Sequence, residues 1–107
     1  MREKLLFGIL LLASCTSNQS VLKEVQLTFD NTKNHDLDNN DNFSPDGKWL
    51  VYDTRTGIGG IGGCPSVERV NIETGKIEVL FEIPDNKEWG PGAGAASYHP
   101  IENKVIF

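Results

Sequence analysis

Cysteine and histidine, the side chains that most readily act as nucleophile and base, are scarce in this chain of 107 residues. Cysteine occurs at Cys15 and Cys64, and histidine at His35 and His99. The sequence contains neither a Gly-x-Ser-x-Gly motif, which would position a serine nucleophile, nor a His-Glu-x-x-His motif, which would position zinc ligands. Cys64 lies beside Pro65 in a glycine-rich stretch without a neighbouring histidine to activate it, which favours an inert thiol over a nucleophile. We therefore assign no catalytic residue and expect no cofactor.

Two side chains could contact a ligand. Arg55 follows a short β-prone run and could bind an anion through its two terminal nitrogens, although an ion pair with a neighbouring side chain is the commoner role of such an arginine. His99 precedes Pro100 in a turn, where it could line a ligand site, cap the turn or pack against it. Arg55 and His99 are therefore the ligand-binding candidates.

Two other patterns fall short of binding sites. Oxygen-bearing residues alternate at Asp36, Asp38 and Asn40, but Asp41 and Gly47 stand where an EF-hand loop needs glycine and glutamate. We therefore expect no metal. The glycines at positions 57, 59 and 62 match Gly-x-Gly-x-x-Gly, but a second strand is predicted after them instead of the helix that would face a pyrophosphate.

The charge distribution argues against a nucleic-acid partner. The chain has a formal net charge of −5, from 10 lysines and arginines and 15 acidic residues. Because the basic residues are scattered, they form no patch that would bind phosphates.

The N-terminus has the order of features found in an export signal. Arg2 and Lys4 are followed by an apolar stretch, residues 5–12, which is too short to span a bilayer. The sequence Leu12-Ala13-Ser14-Cys15 comes next and resembles the lipobox of a bacterial lipoprotein signal. The alternative is a plain secretory signal with a chance cysteine.

The lipobox resemblance implies how the protein is processed and where in the cell it is located. Residues 1–14 would be removed as the signal peptide, Cys15 would be acylated, and residues 15–23 would form a polar tether. No aspartate follows Cys15 directly, so the resemblance favours the outer membrane over the inner one. We expect a protein of the bacterial cell envelope, anchored to the membrane through Cys15 and facing the periplasm.

A tight turn and the strand after it give the strongest structural signal in the chain. In Ser44-Pro45-Asp46-Gly47, Pro45 presets φ, Asp46 can accept a hydrogen bond from the following backbone, and Gly47 tolerates positive φ. Residues 49–52 then carry aromatic and branched side chains on both faces, which is typical of an inner strand.

Other segments also have strand patterns. Residues 25–29 alternate between apolar and polar side chains, which predicts a first strand, and residues 30–42 are rich in Asn and Asp, which predicts an exposed loop. Residues 67–72 and 77–81 alternate on either side of a glycine-containing turn, so they predict a β-hairpin.

The Ser-Pro-Asp-Gly turn and its strand resemble the repeat of TolB-type β-propellers. The end of the chain repeats this motif: Phe43 aligns with Tyr98 and Leu50 with Val105, at a constant offset of 55 residues. The resemblance implies an all-β propeller domain over residues 24–107, with about one and a half blades of antiparallel strands. Families of this kind carry several blades, so we expect the front part of a longer propeller.

Three functions fit a propeller of this kind. The first is a membrane-anchored binding or scaffold module, which the lack of a catalytic set within these residues favours. The others, implied by related propellers, are a lyase acting on uronate oligosaccharides and the front propeller of a prolyl-oligopeptidase-type peptidase. A protein or saccharide ligand would meet the loops at residues 30–42, 53–65 and 83–96. Because connections alternate between the two ends of a blade, the first two loops are predicted at opposite ends.

Overall fold

A computed structural model describes residues 22–37, 40–56, 63–84 and 92–107, and every named element in it is a strand. A four-stranded antiparallel sheet has the order β1-β2-β3-β4 and a two-stranded antiparallel sheet pairs β5 with β6. The strands are β1 Asn34–Asp36, β2 Trp49–Arg55, β3 Ser66–Asn71, β4 Ile77–Glu82, β5 Ser97–Tyr98 and β6 Val105–Ile106. The all-β class predicted from the sequence is confirmed.

Some predictions concern residues beyond this description. Residues 1–21, with the predicted signal and Cys15, and the glycine-rich residues 57–62 lie outside the described residues. No helix in the described part of the chain has the length and apolar character needed to cross a membrane.

The turn before β2 has the geometry that its residues predict. The carbonyl of Ser44 accepts a hydrogen bond from the Gly47 amide at 2.8 Å, and Gly47 has a φ of 70°. Oδ1 of Asp46 accepts from the Ser44 hydroxyl at 2.6 Å and from the Lys48 amide at 3.0 Å. The Ser44 hydroxyl oxygen also accepts from the Trp49 amide at 3.0 Å, so side chains as well as the backbone close the turn.

We expect the charged form of Asp46 to stabilise this turn. Hydrogen bonds, first from the Ser44 hydroxyl and then from the Lys48 amide, lower the pKa of Asp46. A carboxyl group with a lowered folded pKa stabilises the fold above its unfolded pKa, and this contribution is lost as the pH falls through the folded value. Asp46→Ala should therefore unfold at less urea than wild type at pH 7, and the gap should narrow in acid. A gap that stays constant with pH would contradict this role.

The central strand β2 pairs with β1 on one side and β3 on the other, as predicted for an inner strand. Because side chains alternate along a strand, the sheet has two different faces. The Val51 face carries Val51 and Val67, which pack with Ala93, Ala96 and Tyr98 in the main apolar cluster. The opposite face, here called the Tyr52 face, carries Tyr52, Thr54, Ser66 and Glu68, which are all buried.

The predicted hairpin is confirmed as β3 and β4. Its turn is closed by the Asn71 side chain, whose Oδ1 accepts hydrogen bonds from the amides of Glu73 at 3.1 Å and Thr74 at 2.9 Å. Gly75 takes the positive φ of 71° that the turn requires. The register shifts between Val67 and Glu68, which leaves Leu80 as the extra residue of a β-bulge in β4.

The second sheet repeats the register of the first turn. Phe43 bridges to Leu50, and at the same offset of 55 residues Tyr98 pairs with Val105. The amide of Ser44 donates to the Trp49 carbonyl at 2.9 Å, and the amide of His99 donates to the Lys104 carbonyl at 2.8 Å. The repeat predicted from the sequence is therefore present in the backbone hydrogen bonds.

Two predictions about the N-terminal part are wrong. Residues 25–29 form no strand, and Val25 and Phe29 are 67% and 75% exposed. The first strand lies instead within residues 30–42, which were predicted as a loop: β1 pairs Asn34 with Arg55 and Asp36 with Asp53. The polar residues 34–36 form the edge strand because their backbone groups are hydrogen-bonded to those of β2. Because the strands are antiparallel, the connection from β1 enters β2 at its start and the connection to β3 leaves β2 at its end, as predicted for the first two loops, while the residues just before β1 lie beside the end of β2.

Candidate functional site

A group of polar and charged side chains surrounds the C-terminal end of β2 on the Val51 face. Asp53 and Arg55 come from β2, Asp36 from β1, and Cys64 from the residues before β3, while Ala95 belongs to the segment before β5. We call these five residues the Arg55 cluster. Antiparallel pairing explains the arrangement, because it sets the end of β1 opposite Asp53 and brings the start of β3 to the same level.

Among the described residues, Arg55 contacts the carboxylates of Asp36 and Asp53. Its Nη1 lies 2.8 Å from Oδ2 of Asp36, and its Nη2 lies 3.7 Å from Oδ2 of Asp53. The Asp36 side chain is 35% exposed, whereas that of Asp53 is 1% exposed. An anionic ligand would therefore have to displace the exposed carboxylate of Asp36 before it could reach the Arg55 guanidinium.

Asp53 holds the segment before β5 against the sheet. Its Oδ2 accepts a hydrogen bond from the Ala95 amide at 2.9 Å and from the Cys64 thiol at 3.5 Å. Ala95 has a φ of 59°, a region that L-residues rarely adopt, so this contact fixes a strained backbone. Oδ1 of Asp53 is buried without a hydrogen-bond partner among the described residues.

Cys64 has the environment of a structural thiol. Its side chain is fully buried, and its carbonyl accepts a hydrogen bond from the Ala93 amide at 3.0 Å. Burial, followed by the negative charge of Asp53, raises the pKa of Cys64. Because the thiolate is the nucleophilic form, a raised pKa makes this cysteine unreactive at neutral pH.

A second polar group lies on the Tyr52 face. It consists of Lys33, His35, Tyr52, Ser66 and Glu68, and we call it the Glu68 cluster. Glu68 on β3 is 2% exposed, and the register places it opposite Tyr52 on β2. Few carboxylates are buried this fully in soluble proteins unless they are paired.

Each oxygen of Glu68 is hydrogen-bonded. Oε2 accepts from the Tyr52 hydroxyl at 3.0 Å, while Oε1 accepts from the Ser66 hydroxyl at 3.1 Å and forms a close ion pair with Nζ of Lys33. Burial, followed by the charge of Glu68, raises the pKa of Tyr52 well above its usual value, so the phenol stays protonated and donates. The imidazole of His35 meets the ring of Tyr52 edge-on, with centroids 5.0 Å apart.

Comparison with known proteins gives one informative similarity. The chain is 37% identical, over 82 residues, to the "Uncharacterized protein YidR" of Escherichia coli (strain K12). The matched part is 77% of this chain but 18% of that protein, so the chain spans about a fifth of the length of the curated relative. No family model and no solved structure matches the chain.

The two ligand-binding candidates lie on different elements. Arg55 ends β2, whereas His99 follows β5 in the turn to β6. Nδ1 of His99 accepts hydrogen bonds from the amides of Ile101 at 3.3 Å and Glu102 at 3.0 Å. His99 therefore caps its turn in this structure, at the position that Ser44 occupies in the first turn.

The Glu68 cluster was not found from the sequence. Glu68 stands in an alternating strand where a charged residue is usually solvent-exposed, and Lys33 is 35 residues away from it. The cluster could have been predicted only if the register of β2 with β3, which sets Tyr52 opposite Glu68, had been known. The long connection between these strands leaves that register open in the sequence. No group of three or more His, Cys, Asp or Glu side chains in the described part of the chain is arranged to hold a metal ion.

Proposed function

We propose that this chain is part of a TolB-like β-propeller that acts as a binding or scaffold module, anchored through Cys15 in the bacterial cell envelope, at the outer membrane facing the periplasm. The observation that carries the propeller proposal is the repeated register, in which Phe43 with Leu50 and Tyr98 with Val105 form equivalent pairs. A propeller consists of similar blades that recur along the sequence at a nearly constant interval.

The contact between the two sheets supports the same proposal. Tyr98 of the second sheet is 2% exposed and packs on the Val51 face of the first, and its amide donates to the Asp41 carbonyl at 2.6 Å. Successive blades of a propeller cover one another's faces in this way. The strands would then form the frame, and the connections between them would meet a protein or saccharide ligand.

The membrane anchor predicts a defined mature N-terminus. Mass spectrometry of the membrane fraction should find an acylated N-terminal peptide that begins at Cys15. Cys15→Ala should remain unprocessed by the lipoprotein signal peptidase, whereas Cys64→Ala should be processed as wild type. A mature N-terminus at any other residue, or a Cys15 without acyl chains, would rule out the anchor.

Arg55 provides the test of ligand binding. In the intact protein, we expect Arg55→Ala to weaken binding of an anionic ligand by about 1–3 kcal/mol if the contact is buried. Calorimetric titration with oligogalacturonate and with an acidic peptide measures this for the saccharide and protein classes.

Asp36 provides a control of opposite sign. Because Asp36 competes with an incoming anion for the guanidinium, Asp36→Asn should strengthen the binding that Arg55→Ala weakens. If both variants weaken binding equally, or if neither changes it, Arg55 is a structural ion pair and the ligand meets another part of the protein.

A further inference from the structure

The ion pair of the Glu68 cluster joins the four-stranded sheet to the segment that precedes β1. Residues 22–33 contain no strand, and within the described residues two side-chain hydrogen bonds join them to the sheet. One is between Thr28 and His35, with 3.3 Å between Oγ1 and Nδ1, and the other is between Lys33 and Glu68. The Lys33 side chain is 24% exposed, so solvent reaches it although Glu68 is buried.

We propose that the Glu68 cluster is a binding site for a primary alkylammonium group, such as a lysine side chain carries, and that Lys33 occupies this site from within the chain. The carboxylate is fixed before any cation arrives, because Tyr52 and Ser66 donate to its two oxygens and Ser66 lies 2.6 Å from the Thr54 hydroxyl. Such fixed acceptors need little reorganisation to bind a cation.

The charges around Lys33 leave the site acidic. The Lys33 ammonium lies between Glu68 and Asp30, with 3.8 Å between Nζ and Oδ2 of Asp30. Two carboxylates therefore surround one cation. A second ammonium group approaching through the exposed side of Lys33 would find attraction rather than repulsion once the Lys33 side chain moves away.

The ligand set of the site favours an ammonium over a divalent metal. A divalent metal needs several oxygen or nitrogen ligands, and the described residues hold no such group of carboxylates, cysteines or histidines. An ammonium makes a single strong contact to Oε1, which is the contact that Lys33 makes.

Lys33→Ala in the intact protein tests the proposal, because it removes the occupant and leaves the site. Adding n-butylammonium chloride at tenfold its dissociation constant should raise the Tm of this variant by about 5 °C. Equal concentrations of n-butanol and of sodium chloride should not raise it. Wild type should respond to butylammonium at least about tenfold more weakly, because Lys33 competes for the same carboxylate.

A double variant tests whether the response depends on the charge of Glu68, and circular dichroism provides a second measurement if the single variant is unfolded. Lys33→Ala with Glu68→Gln retains the cavity without its charge, and its Tm should not respond to butylammonium. If Lys33→Ala alone is unfolded, butylammonium should restore its far-ultraviolet circular dichroism and butanol should not. An equal response to butylammonium and butanol, or an equal response of the single and double variants, would overturn the proposal, and so would the absence of any response.

Discussion

Lys33→Met should lower the free energy of unfolding by about 3 kcal/mol, because it leaves the carboxylate of Glu68 buried without its cation. Methionine keeps most of the length and apolar surface of the lysine stem, so the loss reports on charge more than on packing. The partial exposure of Lys33 places the effect at the lower end of the range for buried pairs. Urea unfolding of the intact protein measures it.

Two comparisons identify the cause. Lys33→Met combined with Glu68→Gln should regain most of the lost stability, because an amide is less costly to bury than an unpaired carboxylate. Lys23→Met changes an exposed lysine ten residues earlier and should stay within about 0.5 kcal/mol of wild type. A loss as large in Lys23→Met, or no recovery in the double variant, would show that Glu68 does not depend on Lys33.

Trp49→Ala should lower the free energy of unfolding by about 3 kcal/mol through loss of packing at the edge of the Val51 face. Trp49 is half-buried against the apolar cluster, and the Arg69 guanidinium lies 4.2 Å from the centre of its ring. Arg69 is held in place by Glu78, with Nη2 2.7 Å from Oε2, and it donates to the Tyr98 hydroxyl at 3.5 Å. Trp49 therefore supports the contact between the two sheets as well as the first sheet itself.

Phe43→Ala is the matched control for Trp49. Phe43 is an aromatic residue at the other end of the same turn, but it is 60% exposed, so its removal should cost about 0.5 kcal/mol. Thermal unfolding followed by calorimetry compares the two variants. Equal losses would mean that the aromatic residues act through the turn rather than through the Val51 face. An unchanged Trp49→Ala would contradict the assignment of β2 to the structural frame.

Local chemistry determined several parts of this fold before any tertiary contact was considered. Asp46 and Gly47 define the turn before β2, and Gly75 with its flanking alternation defines the hairpin of β3 and β4. The similarity between the segments at Phe43 and Tyr98 predicted a repeated strand pairing. The structure has this repeat, because Phe43 pairs with Leu50 as Tyr98 pairs with Val105. These features depend on residues a few positions apart, so the sequence is sufficient to predict them.

Tertiary structure alone decided which N-terminal segment became a strand and which charged groups came together. Residues 25–29 have the better strand pattern, yet the polar segment Asn34–Asp36 pairs with β2, because a strand exists only where a second backbone accepts and donates its hydrogen bonds. The same pairing sets Asp36 beside Arg55, and the pairing of β2 with β3 sets Tyr52 beside Glu68. Both registers are set across long connections, residues 37–48 and 56–65, so these contacts depend on how distant backbones align, which the alternation of side chains along one strand cannot specify.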